Sequence, residues 1–171
     1  MRNKPVGVLL EKRVLVREGY EPLIERGFGE KRDEGLVLSL YEAAYLLERE
    51  KIRIVKNGNP LDLTAFLAYA EEKIPEFLVR YAVFKDLRNR GYVVKTGFKF
   101  GTHFRVYPRG KKPGEAHTKY VVQVIPEEQK IEAQDLSRMV RLARAIKTEL
   151  VLALVDAEND VVYYKVERLN L

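Results

Sequence analysis

Tyr107 and His117 stand ten residues apart in a strongly basic stretch of the chain. Residues 80–120 contain eleven lysines and arginines but only two acidic residues. A histidine titrates near neutral pH, whereas a tyrosine ionises at about pH 10 and acts as a base only where cations favour its phenolate. The combination therefore predicts acid–base chemistry on an anionic substrate.

Cleavage of an RNA backbone without a metal requires a base, an acid and a cation. A base takes the proton of the 2′-hydroxyl, an acid protonates the leaving 5′-oxygen, and a cation stabilises the crowded phosphorane. His117 fits the acid, and Tyr107, which we expect to be exposed, fits the base. On the residues alone two alternatives remain open, because a tyrosine that ends a strand is more often a packing residue and a loop histidine is often inert. We interpret His103, which alternates with Tyr107 along one strand, as an ordinary polar residue of that face.

The composition is that of a folded protein whose positive charge is unevenly distributed. Hydrophobic residues make up 46% of the 171 residues, enough to bury a core. The net charge of +6 arises entirely within residues 75–171, which favours a nucleic acid partner over simple solvation of the surface. The absence of cysteine excludes disulfides and thiolate chemistry. Only two histidines are present, so a histidine-based zinc site is not expected, and no metal or other cofactor is predicted.

Two further properties concern the environment of the protein. Charged residues make up 33% of the chain and only two methionines are present, a bias typical of heat-adapted proteins. No apolar run approaches the roughly 18 residues of a membrane span, and no long apolar signal core is seen at the start. A cytoplasmic protein without a membrane partner is expected.

Apolar periodicity divides the chain into helices and strands. A capping box at Ser39 and Glu42 predicts the start of one helix, and residues 21–35 are expected to form an exposed charged loop with at most one helical turn. Strands are predicted at 6–11, 13–17, 52–55, 92–96, 103–107, 118–125, 150–155 and 161–166. Helices are predicted from 39, at 63–73, 76–90 and 135–147, and a turn at 57–60.

This order predicts an α+β fold with two domains. Residues 1–74 form a small N-terminal α/β domain in this interpretation. Residues 75–171 form a C-terminal nuclease domain with a mixed β-sheet flanked by helices.

Three stretches of the second half, in order and at matching spacing, resemble the archaeal tRNA-splicing endonucleases. They are YAVFKDLRNRGYVVKTGFKFGTHFRVYPRG, MVRLARAI and LVLALVDAENDVVYY, and LSLYEAAYLL in the first half agrees more loosely. The resemblance implies that Tyr107 is the general base acting on the 2′-hydroxyl and that His117 is the general acid. It also implies a catalytic lysine at the end of the last helix.

The position of that lysine is a departure from the family pattern. When the sequence is matched to the family pattern, the position of this lysine falls on Thr148, one residue after Lys147. Helix ends are uncertain by a residue or two and a lysine stem is long and flexible, so we assign the role to Lys147. The alternatives are a site that is impaired or depends on a partner, and a lysine that only stabilises the helix dipole.

The resemblance also suggests residues outside the catalytic set. Arg141 matches a family arginine that stacks against a flipped base of the RNA bulge, and Arg105 and Arg109, which flank Tyr107, are assigned to RNA binding. The acidic turn with Asp156, Glu158 and Asp160 is similar to a family loop that inserts into a neighbouring subunit. The strand VVYYKV would pair with its counterpart in a dimer.

The expected function is cleavage of precursor tRNA at exon–intron junctions within a bulge-helix-bulge motif, which leaves 2′,3′-cyclic phosphate and 5′-hydroxyl ends. The expected partners are precursor tRNA and either identical copies or a second endonuclease subunit in a heterotetramer. A noncatalytic RNA-binding subunit of a hetero-oligomeric splicing endonuclease is the alternative. A metal-dependent DNA nuclease ranks below both, because no cluster of carboxylates surrounds Tyr107.

Overall fold

The computed structural model describes residues 3–97 and 101–171, and the chain divides into two units, residues 1–78 and 79–171. Lys99, one of the cations of the basic stretch, lies outside the described residues. Helices and mixed sheets are both present, which confirms the α+β fold class. Within the described residues, no helix is both long and apolar enough to cross a membrane.

The first unit contains a six-stranded sheet with the order β3-β4-β2-β1-β5-β6, in which only β1 and β5 pair in parallel. Its strands are β1 (Val6–Leu10), β2 (Arg13–Val16), β3 (Glu30–Arg32), β4 (Gly35–Ser39), β5 (Arg53–Lys56) and β6 (Asn59–Leu61). Its helices are α1 (Glu21–Glu25), α2 (Leu40–Glu48) and α3 (Leu63–Lys73).

Three strands of this sheet were not predicted, because pairing rather than local pattern creates them. β3 consists of exposed residues and borders the sheet, and β6 contains Pro60, which an edge strand tolerates. β4 is a short apolar run that sequence alone does not distinguish from the start of a helix. At its first residue, Gly35, the φ angle is +143°, and a Cβ atom would lie 2.4 Å from the carbonyl oxygen of Val16, so only glycine fits.

The predicted capping box at the start of α2 is confirmed. The Ser39 hydroxyl oxygen accepts a hydrogen bond from the Glu42 amide at 3.1 Å, and the Glu42 carboxylate accepts one from the Ser39 amide at 3.0 Å. The other carboxylate oxygen accepts from the amide of Gly29 at 2.7 Å. Glu42, only 4% exposed, thereby joins the charged segment before β3 to the start of α2.

The capping box predicts a measurable loss of stability when the hydroxyl is removed. We expect Ser39→Ala to lower the free energy of unfolding by about 1 kcal/mol, because the amide of Glu42 loses its acceptor. Urea denaturation measures the change. Ser137→Ala, at an exposed position inside a helix of the second unit, is the matched control and should change stability by no more than about 0.5 kcal/mol. Equal effects of the two substitutions would contradict the role of the cap.

The second unit contains a five-stranded mixed sheet with the order β11-β10-β9-β8-β7. Its strands are β7 (Val93–Thr96), β8 (Phe104–Tyr107), β9 (Tyr120–Pro126), β10 (Glu149–Val155) and β11 (Val161–Val166). Its helices are α4 (Phe77–Asn89), which starts in the last residues of the first unit, and α5 (Ala133–Ala145). Only β9 and β10 run in parallel, and α5 is the crossover that connects them.

The two helices pack on opposite faces of this sheet. The α5 face forms a cluster of buried and partly buried apolar residues, to which the helix contributes five at helical spacing: Leu136, Met139, Val140, Ala143 and Ile146. On the other face, the ring centroids of Phe84 in α4 and Phe104 in β8 lie 5.9 Å apart. The hydroxyl of Tyr163 in β11 donates to Asp86 of α4 at 2.6 Å. This packing fixes the strand ends that carry the candidate site.

Candidate active site

Three chain segments meet at one edge of the five-stranded sheet. β8 ends there at Tyr107, and the antiparallel β9 begins beside it at Tyr120. β10 also begins there, because Glu149 pairs with Tyr120 across the parallel β9–β10 ladder. The β8–β9 loop with His117 and the end of α5 with Lys147 therefore lie at the same edge as Tyr107.

Tyr107 points toward the α5 side of the sheet. Arg105 pairs with Val121, which belongs to the apolar cluster under α5, and Tyr107 follows two residues later on the same face of β8. The expectation that Tyr107 is exposed was wrong, because its side chain is only 5% exposed at the end of a paired strand. Its hydroxyl oxygen accepts a hydrogen bond from Nη1 of Arg105 at 2.8 Å.

His117 is exposed and contacts the end of α5. Its Nε2 lies 3.3 Å from the carbonyl oxygen of Ile146, the residue that caps the helix. A carbonyl oxygen only accepts, so this contact is a hydrogen bond in the tautomer that carries its proton on Nε2. The contact holds the β8–β9 loop next to Lys147.

Lys147 occupies a backbone conformation that favours glycine. Its φ angle is +57°, in the left-handed region, and it directly follows the cap of α5. The Lys147 amide donates to the carbonyl of Arg144 at 3.1 Å, and the Thr148 amide donates to the carbonyl of Ala143 at 2.9 Å, which together form a Schellman motif. Lys147 is exposed, whereas the Thr148 hydroxyl oxygen is buried and has no hydrogen-bond partner within the described part of the chain.

The other predicted RNA-binding residues have different surroundings. Arg141 is exposed on α5, in the turn before the helix ends. Arg105 makes two hydrogen bonds inside the protein. Its Nη1 donates to the Tyr107 hydroxyl, and its Nε donates to the Thr96 carbonyl oxygen at 3.0 Å. Arg109 lies over the ring of Tyr92, with 4.8 Å from the guanidinium carbon to the ring centroid.

Arg109 belongs to a small group that we call the tyrosine–cation band: Tyr92, Arg109, Lys119 and Tyr120. The Lys119 ammonium lies 5.2 Å from the centroid of the Tyr120 ring, and the two tyrosine rings meet edge to face at 6.4 Å. Among residues 3–97 and 101–171, neither cation of the band forms an ion pair with a carboxylate. Sequence reasoning missed Lys119 and both rings, although a cation and a tyrosine are adjacent at positions 119 and 120.

The acidic turn connects β10 and β11. The Asp156 carboxylate accepts hydrogen bonds from the amides of Glu158 and Asp160, both at 2.9 Å, so it builds the turn itself. Glu158 and Asp160 are exposed. The turn follows the end of β10, at the opposite end of that strand from the candidate site.

His103 forms a hydrogen bond within the sheet and has a structural role. Its Nδ1 accepts a hydrogen bond from the amide of Val124 in β9 at 2.8 Å. Burial lowers the pKa of His103 to about 4, and the positive charge of Arg80 contributes in the same direction. The ring is therefore neutral at pH 7 and acts as an acceptor in the sheet, which agrees with its interpretation as an ordinary residue.

The lowered pKa of His103 predicts a loss of stability in acid. The unfolded chain takes up a proton near pH 6.5 and the folded chain only near pH 4, so protonation favours the unfolded state between these values. At about 1.4 kcal/mol per pH unit, roughly 3 kcal/mol is lost across this window. Denaturant unfolding of wild-type protein and His103→Asn, whose amide oxygen replaces the Nδ1 acceptor, measures the difference. Parallel curves of stability against pH would contradict the prediction.

Both halves of the chain match one protein family. Residues 77–163 match the tRNA intron endonuclease catalytic C-terminal domain, and residues 6–67 match the tRNA intron endonuclease N-terminal domain. The chain is 44% identical over 142 residues to the tRNA-splicing endonuclease of Thermococcus onnurineus, which covers 83% of this chain and 81% of that protein. It is 43% identical over 144 residues to the tRNA-splicing endonuclease of Pyrococcus furiosus, at 84% and 82% coverage. A third relative, the tRNA-splicing endonuclease of Methanothermobacter thermautotrophicus, is 43% identical over 140 residues, at 82% and 81% coverage.

The fold and the matched catalytic domain define an endonuclease of the α+β class. The chain belongs to the tRNA intron endonuclease family. The resemblance seen in the sequence is thereby confirmed for both halves of the chain.

Proposed function

We propose that this protein cuts precursor tRNA at exon–intron junctions within a bulge-helix-bulge motif. The observation that carries the proposal is that the chain segments with Tyr107, His117 and Lys147 lie at one sheet edge inside the domain that matches the family's catalytic domain. The relatives named above are tRNA-splicing endonucleases. Irregular RNA with unpaired nucleotides is also the form of RNA that proteins recognise most specifically.

The proposed reaction is an acid–base transesterification that uses no metal. Tyr107 takes the proton of the 2′-hydroxyl, and the 2′-oxygen forms a bond to phosphorus. The bond from phosphorus to the 5′-oxygen breaks, and His117 gives that oxygen a proton. The Lys147 ammonium stabilises the negative charge of the phosphorane. The products are a 2′,3′-cyclic phosphate and a 5′-hydroxyl.

Cations near the site are proposed to hold the RNA. Arg141 is assigned to the flipped bulge base, because a planar guanidinium stacks well on a base. The tyrosine–cation band is assigned to phosphates of the strand that passes the site. Arg109 follows Tyr107 by two residues and Lys119 follows His117 by two, so both cations of the band lie at the same end of the strands as the candidate site.

Assembly is proposed to involve β11 and the acidic turn. β11 is an edge strand, and Val162 and Tyr164 on it are 53% and 52% exposed. An exposed apolar edge strand has unpaired backbone groups and readily pairs with a strand of another chain. Asp156, Glu158 and Asp160 would then enter a neighbouring subunit, in a homo-oligomer or in a heterotetramer with a second endonuclease subunit.

One observation favours a second candidate function, a noncatalytic RNA-binding subunit of a hetero-oligomeric enzyme. Thr148 stands where the family register places the catalytic lysine. Retention of both Tyr107 and His117 argues against this alternative.

A cleavage assay separates the two candidates. A bulge-helix-bulge RNA labelled at its 5′ end is incubated with the protein in EDTA, alone and together with a second endonuclease subunit, and the solution mass is measured in parallel. We expect cleavage by the protein alone and a 2′,3′-cyclic phosphate on the 5′ fragment. Binding without cleavage, with activity appearing only in the mixture, would support the noncatalytic subunit instead.

A further inference from the structure

The Arg105 side chain is tied to the sheet edge at two points. Its Nε donates to the Thr96 carbonyl oxygen on the neighbouring strand at 3.0 Å, and its Nη1 donates to the Tyr107 hydroxyl at 2.8 Å. The guanidinium carbon lies 5.9 Å from the Tyr107 ring centroid. Because the guanidinium is planar and rigid, the bond to Thr96 fixes where the Nη1 donor points.

The chemistry of this contact constrains the tyrosine oxygen. A guanidinium donates hydrogen bonds, never accepts them, and stays charged at every pH relevant to the protein. The Tyr107 oxygen is therefore the acceptor, and its remaining lone pair and its own proton face away from Arg105.

This geometry assigns Arg105 a different role from the RNA contact that the sequence predicted. Its side chain is partly buried, and two of its donors serve contacts inside the protein. Arg109, two residues later, is exposed, lies over the ring of Tyr92 and donates its Nε to the Arg90 carbonyl oxygen at 2.9 Å, and it has no contact with Tyr107 among the described residues. The two arginines flank the same tyrosine but differ in what they contact.

We infer that Arg105 is a positioning residue for the reaction: it orients the Tyr107 oxygen toward the 2′-hydroxyl. The inference rests on the proposed function, because it assigns Tyr107 the role of the base. It predicts that loss of Arg105 slows the chemical step while RNA binding stays nearly unchanged.

The test compares Arg105→Ala with Arg109→Ala on a bulge-helix-bulge RNA under single-turnover conditions, with RNA affinity measured separately. Arg105→Ala should lower the maximal cleavage rate roughly 10- to 100-fold, the range for loss of a hydrogen bond to a charged group, with RNA affinity within about twofold of wild type. Arg109→Ala should instead weaken RNA binding and reduce its salt dependence. Lys130→Ala, which removes one exposed positive charge outside the band, controls for the change in net charge.

A second readout separates positioning from structural damage. Added guanidinium at millimolar concentration should restore part of the maximal rate of Arg105→Ala, because the small cation occupies the space of the lost side chain. Arg105→Lys should remain slow, since an ammonium does not make both bonds at their present positions. An unchanged maximal rate in Arg105→Ala, or a loss that appears only in RNA affinity, would overturn the inference. If wild-type protein does not cleave, the proposed function fails instead.

Discussion

Replacement of His117 by asparagine is expected to lower the rate of RNA cleavage by about 10²- to 10⁴-fold, the usual contribution of a general acid. Without the imidazole, the 5′-oxygen must leave as an alkoxide, and an alkoxide is a poor leaving group. Asparagine is too short to place a donor where Nε2 now meets the Ile146 carbonyl oxygen, so the variant loses one exposed hydrogen bond that water can replace. RNA affinity and stability should nevertheless change little, since His117 is exposed. Single-turnover cleavage and a binding titration measure the two effects.

A modified RNA tests the assignment of the acid directly. In a substrate whose leaving 5′-oxygen is replaced by sulfur, the leaving group needs no proton, so His117→Asn should cleave it nearly as fast as wild type. Tyr107→Phe, which removes only a hydroxyl from a side chain that is 5% exposed, should stay slow on both substrates, because the 2′-hydroxyl still needs a base. Rescue of Tyr107→Phe but not of His117→Asn would reverse the two roles. Full activity of His117→Asn on normal RNA would eliminate its role as the acid.

Replacement of Lys147 by glycine is expected to lower the maximal cleavage rate by about 10²- to 10³-fold, the typical effect of removing a group that stabilises charge in the transition state. The same change should leave the fold as stable as before or stabilise it by up to about 1 kcal/mol. The reason is that Lys147 has a φ angle of +57°, where a side chain costs energy and glycine does not. Lower activity with equal or higher stability cannot result from unfolding. Cleavage rates and urea denaturation provide the two measurements.

The neighbouring position is the matched control for Lys147. Thr148→Lys in the wild-type background should not increase the rate, and it should not rescue Lys147→Gly if the ammonium acts from position 147. Recovery of activity in the double variant would place the catalytic cation at position 148, where the family register has it. Undiminished cleavage by Lys147→Gly would remove this residue from the catalytic set.

The parts of the fold that the sequence predicted are those with strong local signals. The apolar face of α5 and the capping box of α2 are as expected, because helical periodicity and the Ser39–Glu42 pair are local properties of the chain. β3, β4 and β6 were missed, because each is short and becomes a strand only through its neighbours in the sheet. The charged segment that was expected to be a loop with at most one helical turn contains the short helix α1 and also β3, which becomes a strand only by pairing with β4.

For the candidate site, the sequence by itself determined the residue types, their order and the family. The reason is that residue identity and spacing along the chain do not depend on the fold. The tertiary structure alone decided which groups meet. Tyr107 is buried against Arg105 because β7 and β8 pair in a register that holds the guanidinium between Thr96 and the tyrosine hydroxyl. His117 reaches the end of α5 because the parallel β9–β10 pair returns the chain to the same sheet edge. Such contacts depend on strand order and register, which arise from packing between segments distant in sequence.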